Sequence, residues 1–121
     1  MKRLVTEKLE EWVSGNFRKP LLIRGARQVG KTYIVNELAR QHFKDNFHSF
    51  NFEKNPELHS IFDQNLNITR ILSELELFSG KKIEPGHDLL FFDEIQECPK
   101  AIMSLRYFYE DMPGLHLIAA G

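Results

Sequence analysis

The sequence has little cysteine, no long apolar run and almost no excess of charge of either sign. One cysteine among 121 residues, Cys98, excludes an intrachain disulfide and fits a reducing compartment. No stretch is apolar for long enough to span a bilayer, and the N-terminal segment "MKRLVTEKLEEW" has no apolar signal core. We therefore predict a cytoplasmic protein with no membrane partner. The formal net charge of -1 gives no overall basic field, so charge does not support a nucleic-acid partner, and the sequence leaves such a partner open.

Histidines and cysteine do not form the pattern of a metal site. The five histidines are spread along the chain without the close pairing of zinc ligands, and one cysteine cannot complete such a site. We predict no structural metal. Cys98 precedes Pro99 at the start of a predicted helix, a position that can lower a thiol pKa. A lone cysteine is more commonly an inert, partly buried side chain, and this is our interpretation.

Short apolar runs alternate with segments of helical periodicity along the chain. The predicted strands cover residues 20–24, 47–53, 88–94 and 115–121. The predicted helices cover residues 31–43 and 56–62, the segment between Asn67 and Gly80, and the segment between Pro99 and Gly114. Residues 1–19 are predicted to form an N-terminal amphipathic helix and linker, and residues 20–121 one small core domain. This alternation predicts an α/β fold with a parallel sheet of about four strands and helices on its faces.

A phosphate-binding loop is predicted directly after the first strand. Gly25, Gly30, Lys31 and Thr32 match G-x-x-x-x-G-K-[ST], the Walker A motif, which must follow a strand and open a helix. Glycine lets the backbone approach phosphate oxygens, and the loop N–H groups and the helix N-terminus attract the anion. Lys31 supplies a charge for the β- and γ-phosphates, and the Thr32 hydroxyl is a ligand for Mg²⁺. The predicted nucleotide-binding residues are Gly25, Ala26, Arg27, Gln28, Val29, Gly30, Lys31, Thr32 and Tyr33.

Two carboxylates follow the third apolar run and narrow the class of protein. In "LLFFDE", Asp93 stands at the carboxyl end of a strand that is apolar throughout, where it can act on the magnesium side of the site. Glu94 follows at once, and a carboxylate there can orient a water or accept its proton as it attacks the γ-phosphate. A whole strand and two helices fit between Lys31 and Asp93, which indicates the P-loop architecture with an additional strand. The alternative is a solvated strand end that leads into a helix.

The roles of one arginine and two glutamines near these motifs stay open. Arg27 and Gln28 lie inside the loop, where they can contact phosphate or a neighbouring subunit, although exposure to solvent is the commoner outcome. Gln96 follows Glu94 by two residues. That spacing places it either beside the attacking water or, more commonly, at the surface where the next helix begins.

"RGARQVGKT" and "FDEIQECP" together carry a resemblance to a known family. The chain resembles AAA+-like P-loop ATPases with a catalytic glutamate, and more narrowly a family of bacterial and archaeal ATP-binding proteins that share these motifs. The resemblance implies a three-layer αβα P-loop NTPase core with ATP and Mg²⁺ as cofactors. It implies that Lys31 binds the phosphates and that Thr32 and Asp93 bind the metal. It also implies that Glu94 is the catalytic carboxylate, and we count Lys31 among the catalytic residues. It also implies a following C-terminal domain likened to restriction nucleases.

The last predicted strand, "LHLIAAG", leads to a further expectation. In ATPases of this kind the strand after the acidic strand ends in a polar residue that senses the γ-phosphate, whereas "LHLIAAG" stops at Gly121. We therefore expect a truncated core that lacks the sensor residue, the lid and any arginine supplied in trans. We expect weak or no turnover from this segment alone. A homo-oligomer stays open.

Two functions remain open on sequence grounds, and a third is weaker. The first is an ATPase that binds Mg·ATP and, in the intact protein, hydrolyses it to drive a conformational change. The second is an ATP-dependent switch or scaffold with negligible hydrolysis. The third is a P-loop kinase that acts on a small molecule, although such kinases and signalling GTPases generally lack a glutamate at the position of Glu94.

Overall fold

A computed structural model describes Trp12 and residues 20–23 and 28–121, with the backbone alone for residues 28–32. The strands are β1 (Leu21–Ile23), β2 (Phe47–Asn51), β3 (Leu89–Asp93) and β4 (His116–Ala120). The helices are α1 (Gln28–His42), α2 (His59–Gln64), α3 (Ile68–Ser79) and α4 (Pro99–Asp111), with short 3₁₀ turns at Pro56–Leu58 and Ile95–Glu97. Each predicted strand and helix within the described residues is present. The predicted N-terminal helix lies outside these residues apart from Trp12.

All four strands are parallel and lie in the order β1-β4-β3-β2. The predicted additional strand is therefore present: β2 separates β1 from β3 along the chain, and β4 separates them in space. Because the strands are parallel, their carboxyl ends meet at one edge of the sheet, where ligands of open α/β sheets bind.

The two faces of the sheet are covered by different helices, because successive strand residues point to opposite sides. Leu89 and Phe91 of β3 pack with α1, whereas Leu90 and Phe92 pack with the layer formed by α2, α3 and α4. The α1 side holds Val35, Leu38, Ala39, Phe43, Ile118 and Ala120. The opposite side is rich in aromatic rings, including Phe50, Phe52, Phe62 and Phe108. The predicted three-layer α/β architecture is thus confirmed.

Local signals placed the ends of α3 correctly. The Asn67 side chain accepts a hydrogen bond from the Arg70 backbone N–H at 3.1 Å, which caps the helix N-terminus. Gly80 ends the helix in the left-handed conformation with φ 70°, and its N–H donates to Glu76 O. By contrast, α1 begins at Gln28, three residues before its predicted start. A glycine inside a helix costs only about 1 kcal/mol, so Gly30 does not prevent the helix from beginning before it.

No helix among the described residues is both long enough and apolar enough to cross a membrane. The predicted boundary at residue 19 lies in the part of the chain that is not described and stays a prediction.

Candidate nucleotide-binding site

The carboxyl edge of the sheet brings the end of the acidic strand β3 close to the end of β1. Ile23 at the end of β1 is in register with Ala120 of β4, and Phe92 of β3 is in register with Ala119. Strands β1 and β3 therefore end at the same level, two strand spacings or roughly 10 Å apart. The chain leaves β1 at Ile23 and enters α1 at Gln28 on this same edge. The end of β3 consequently lies on the edge of the sheet at which β1 leads into α1.

Helix α1 presents its N-terminus to this edge. The backbone of residues 28–32 forms its first five positions, and no acidic side chain stands in its first turn to offset the positive end of the helix dipole. Of the predicted nucleotide-binding residues, Gly25, Ala26 and Arg27 lie outside the described residues. Tyr33 is 44% exposed on α1. The individual contacts of this loop with a nucleotide stay predictions.

Asp93 is the last residue of β3 and is half-buried. Its Oδ1 accepts a 2.9 Å hydrogen bond from the backbone N–H of Glu94. Across the sheet it is in register with Asn51 of β2, whose side-chain oxygen accepts from the N–H groups of Glu53 and Lys54. These bonds turn both chains away from the strand ends and leave the Asp93 carboxylate at the edge of the sheet.

Glu94 has a backbone conformation that is rare for a residue with a side chain. Its φ of 54° and ψ of 44° lie in the left-handed region, at the junction between β3 and the Ile95–Glu97 turn. This conformation costs an L-residue roughly 1–2 kcal/mol, and such strain is concentrated at functional sites. The residue is only 5% exposed. A buried carboxylate needs hydrogen-bond donors, and the Gln96 side-chain amide donates to Glu94 Oε1 at 2.7 Å.

The Gln96 contact was not foreseen from the sequence. Gln96 is exposed, as its position suggested, but its amide group is directed at Glu94 rather than at solvent alone. The spacing of two residues around a tight turn was the available signal. Whether two such side chains meet depends on the left-handed backbone at Glu94, which no local pattern in the sequence indicates.

A second polar cluster lies at the opposite, amino edge of the sheet. Buried Asp88, just before β3, accepts hydrogen bonds from His48 Nε2 at 2.9 Å, from His87 Nδ1 at 2.7 Å and from the Glu84 N–H at 3.0 Å. Burial acts to raise the pKa of Asp88, but the hydrogen bonds from His87, His48 and the Glu84 amide outweigh it and lower that pKa. The hydrogen bond to Asp88 in turn raises the pKa of His87.

Metal-ligating atoms of Glu84, His87 and Asp88 lie within 4.8 Å of one another, the one such group in the described part of the chain. Sequence reasoning missed the pairing of His48 with Asp88 because the two residues are 40 positions apart along the chain. The bonds within the cluster already engage both oxygens of Asp88. The sulfur of Cys98 is elsewhere and buried, and burial raises the pKa of its thiol. The interpretation of Cys98 as an inert side chain is thus supported.

The strand order, the two helical layers and the acidic strand end beside α1 define a P-loop NTPase-like αβα core. A family model described as an AAA domain matches residues 17–121, and the chain belongs to that family. Membership indicates a nucleotide-binding ATPase domain. No curated protein and no solved structure matches the chain significantly. The narrower family and the nuclease-like C-terminal domain stay predictions.

Proposed function

We propose that this AAA domain binds Mg·ATP at the carboxyl edge of its sheet and, in the intact protein, hydrolyses it with Glu94 as the catalytic carboxylate. One observation supports this above all others. A buried glutamate in a left-handed conformation directly follows the strand-end aspartate, on the edge where β1 leads into α1. Family membership supports the nucleotide, and the sequence motif supports the individual phosphate contacts.

The residues proposed to bind the nucleotide have the chemistry that the ligand requires. Backbone N–H groups of residues 25–32 and the Lys31 ammonium would bind the phosphates. Thr32 and Asp93 offer a hydroxyl and a carboxylate, the oxygen ligands that Mg²⁺ prefers, and they fit this ion. When bound, Mg²⁺ neutralises charge on the β- and γ-phosphates.

Glu94 is proposed to orient the attacking water and to accept its proton. Its carboxylate is buried, so few competing waters solvate it, and the backbone turn holds it at the strand end. Catalysis of phosphoryl transfer is mostly positioning and stabilisation of charge, which makes a restrained carboxylate effective. In the intact protein we propose that hydrolysis drives a conformational change, as the resemblance implies.

Replacing Glu94 with Gln tests the hydrolytic role in the intact protein. The variant keeps a side-chain oxygen that can accept the bond from Gln96, so the local fold should persist while the base is lost. We expect phosphate release to fall by roughly 10²–10⁴-fold, with ATP binding by calorimetry retained. Glu97→Gln, an exposed position in the same turn, is the matched control and should have unchanged turnover.

Three outcomes separate the proposed functions. Turnover that survives Glu94→Gln while binding persists would remove Glu94 from catalysis. Negligible turnover in the wild-type protein with tight, Mg²⁺-dependent binding would favour an ATP-dependent switch. A phosphorylated small molecule in place of free phosphate would indicate a kinase.

A further inference from the structure

We propose that Gln96 is a positioning residue for Glu94, and that Gly121 at the end of β4 provides the space that this role needs. The inference rests on the proposed function, since it assigns a partner to the carboxylate that acts in hydrolysis. It begins from the 2.7 Å hydrogen bond between the Gln96 amide nitrogen and Glu94 Oε1. Gln96 acts through Glu94 and is assigned no contact with the nucleotide.

The other end of the Gln96 amide lies against Gly121. A Cβ atom built on Gly121 would be 2.2 Å from Gln96 Oε1, far closer than non-bonded atoms approach. It would also be 3.1 Å from the Gln96 backbone nitrogen and 3.2 Å from that of Ile95. The Gln96 side chain therefore occupies the volume that any larger residue at this position would fill.

Strand β4 and the Glu94 turn thus meet at the Gln96 side chain and at the backbone of Ile95 and Gln96. The N–H of Gly121 donates to Ile23 O of β1 at 3.2 Å, so the position of Gly121 is set by the sheet. Gln96 packs against that fixed point on one side and donates to Glu94 on the other. Its amide lies between them, and the missing Cβ leaves the space in which it can point toward Glu94.

The chemical consequence follows from the two oxygens of a carboxylate. A carboxylate has about four lone-pair sites, so one oxygen can accept from Gln96 while the group still accepts from a water. Holding Oε1 restricts rotation of a side chain that would otherwise sample several rotamers. Misplacement of a catalytic group by about 1 Å costs on the order of a hundredfold in rate, so we expect the restraint to act on the chemical step.

Gln96→Met in the intact protein removes the donor and keeps a side chain of similar length. We expect kcat for ATP hydrolysis to fall between about tenfold and a hundredfold, with the Kd for ATP changed less than about twofold. A purely structural role would instead lower thermal stability and affect binding together with turnover. An unchanged kcat overturns the proposal. A raised kcat also overturns it, because the bond would then hold the carboxylate away from the reaction.

Gly121→Ala tests the same coupling without altering Gln96 or Glu94. The added methyl group displaces the flexible end of Gln96 and also lies 3.1 Å and 3.2 Å from the backbone nitrogens of Gln96 and Ile95, so we expect kcat to fall at least as far as in Gln96→Met. Gly114→Ala is the matched control, since a Cβ there meets nothing within 4 Å, and its kcat should equal that of the wild type. The double variant of Gln96 and Gly121 should be no slower than the slower single variant, because both remove one interaction.

Losses that multiply in the double variant would overturn the coupling. So would a Gly121→Ala protein with wild-type kcat. Glu94→Gln, measured alongside, distinguishes failure of this inference from failure of the proposed function. If Glu94→Gln abolishes turnover while Gln96→Met leaves turnover unchanged, the inference fails and the proposed function stands. If Glu94→Gln leaves turnover intact, the proposed function itself fails.

Discussion

The backbone N–H of Glu94 donates a 2.9 Å hydrogen bond to Oδ1 of Asp93, so the two neighbouring acidic residues are joined at the strand end. This bond closes the chain into the left-handed turn at Glu94. The aspartate therefore has a structural task in addition to the metal-binding task proposed for it. Substitutions at Asp93 should separate these tasks, because asparagine keeps the oxygen acceptor and loses only the charge.

We predict that Asp93→Asn weakens the dependence of ATP binding on Mg²⁺ while leaving the protein folded. Asp93→Ala should remove the acceptor as well, and the free energy of unfolding should drop by about 1 kcal/mol more than in Asp93→Asn. Calorimetric titration with ATP, with and without Mg²⁺, measures the first effect, and urea unfolding measures the second. Equal Mg²⁺ dependence in wild type and Asp93→Asn would exclude Asp93 as a metal ligand.

Backbone strain at Glu94 predicts that the glutamate contributes to activity while its conformation lowers the stability of the fold. Glu94→Gly and Glu94→Ala both lack the carboxylate and should lose turnover. Glycine adopts the left-handed conformation without a Cβ clash, so the Gly variant should be the more stable of the two by about 1 kcal/mol. Unfolding midpoints in urea provide the comparison.

Lys44 is the control for this backbone effect. It is exposed, follows α1 and has a φ of 49°, also in the left-handed region. Lys44→Gly should be more stable than Lys44→Ala by a similar amount, with turnover unaffected in both. If glycine stabilises position 44 and not position 94, then the conformation assigned to Glu94 is wrong.

Removing the Lys31 ammonium should abolish most nucleotide affinity. A hydrogen bond to a charged group contributes about 1.5–3 kcal/mol, so Lys31→Ala should raise the Kd for ATP by roughly ten- to a hundredfold. Lys82→Ala removes the same charge from an exposed loop position and serves as the control. An affinity for Mg·ATP that is the same in both variants would argue against the predicted phosphate loop.

The buried Asp88 cluster predicts a pH dependence of stability. The pKa of Asp88 is lowered from its ordinary value of 3.8, so the unfolded chain takes up a proton at a higher pH than the folded one. The stabilisation from this carboxylate is therefore present above pH 3.8 and is lost as the pH falls through the folded pKa. Asp88→Asn should cost about 1–3 kcal/mol at neutral pH, and its difference from wild type should shrink in acid.

Unfolding in urea at pH values on both sides of 3.8 measures this effect. Glu110→Gln is the control, since it removes an exposed ion pair with Arg106 and should change the free energy of unfolding by less than about 1 kcal/mol. A wild-type and an Asp88→Asn protein that lose stability in parallel on acidification would rule out the lowered pKa.

Much of the fold was predictable because its signals are local. The apolar run "LLFF" predicts a strand buried on both faces, and all four of its residues are buried. Asn67 and Gly80 act on backbone groups within a few residues of themselves, so the ends of α3 follow from the sequence. The position of two candidate site residues was predictable for the same reason: the sequence placed Asp93 and Glu94 at the end of a strand, where the structure has them, and their roles stay predictions.

By itself, the sequence determined the order of strands and helices, the family and the residue types that a nucleotide site requires, since these depend on patterns along the chain. The tertiary structure decided which distant groups meet. It placed β4 between β1 and β3, brought Gly121 against Gln96 and paired His48 with Asp88. The physical reason is that close packing of a sheet between two helical layers sets these distances, and a contact between residues far apart along the chain depends on all of that packing at once.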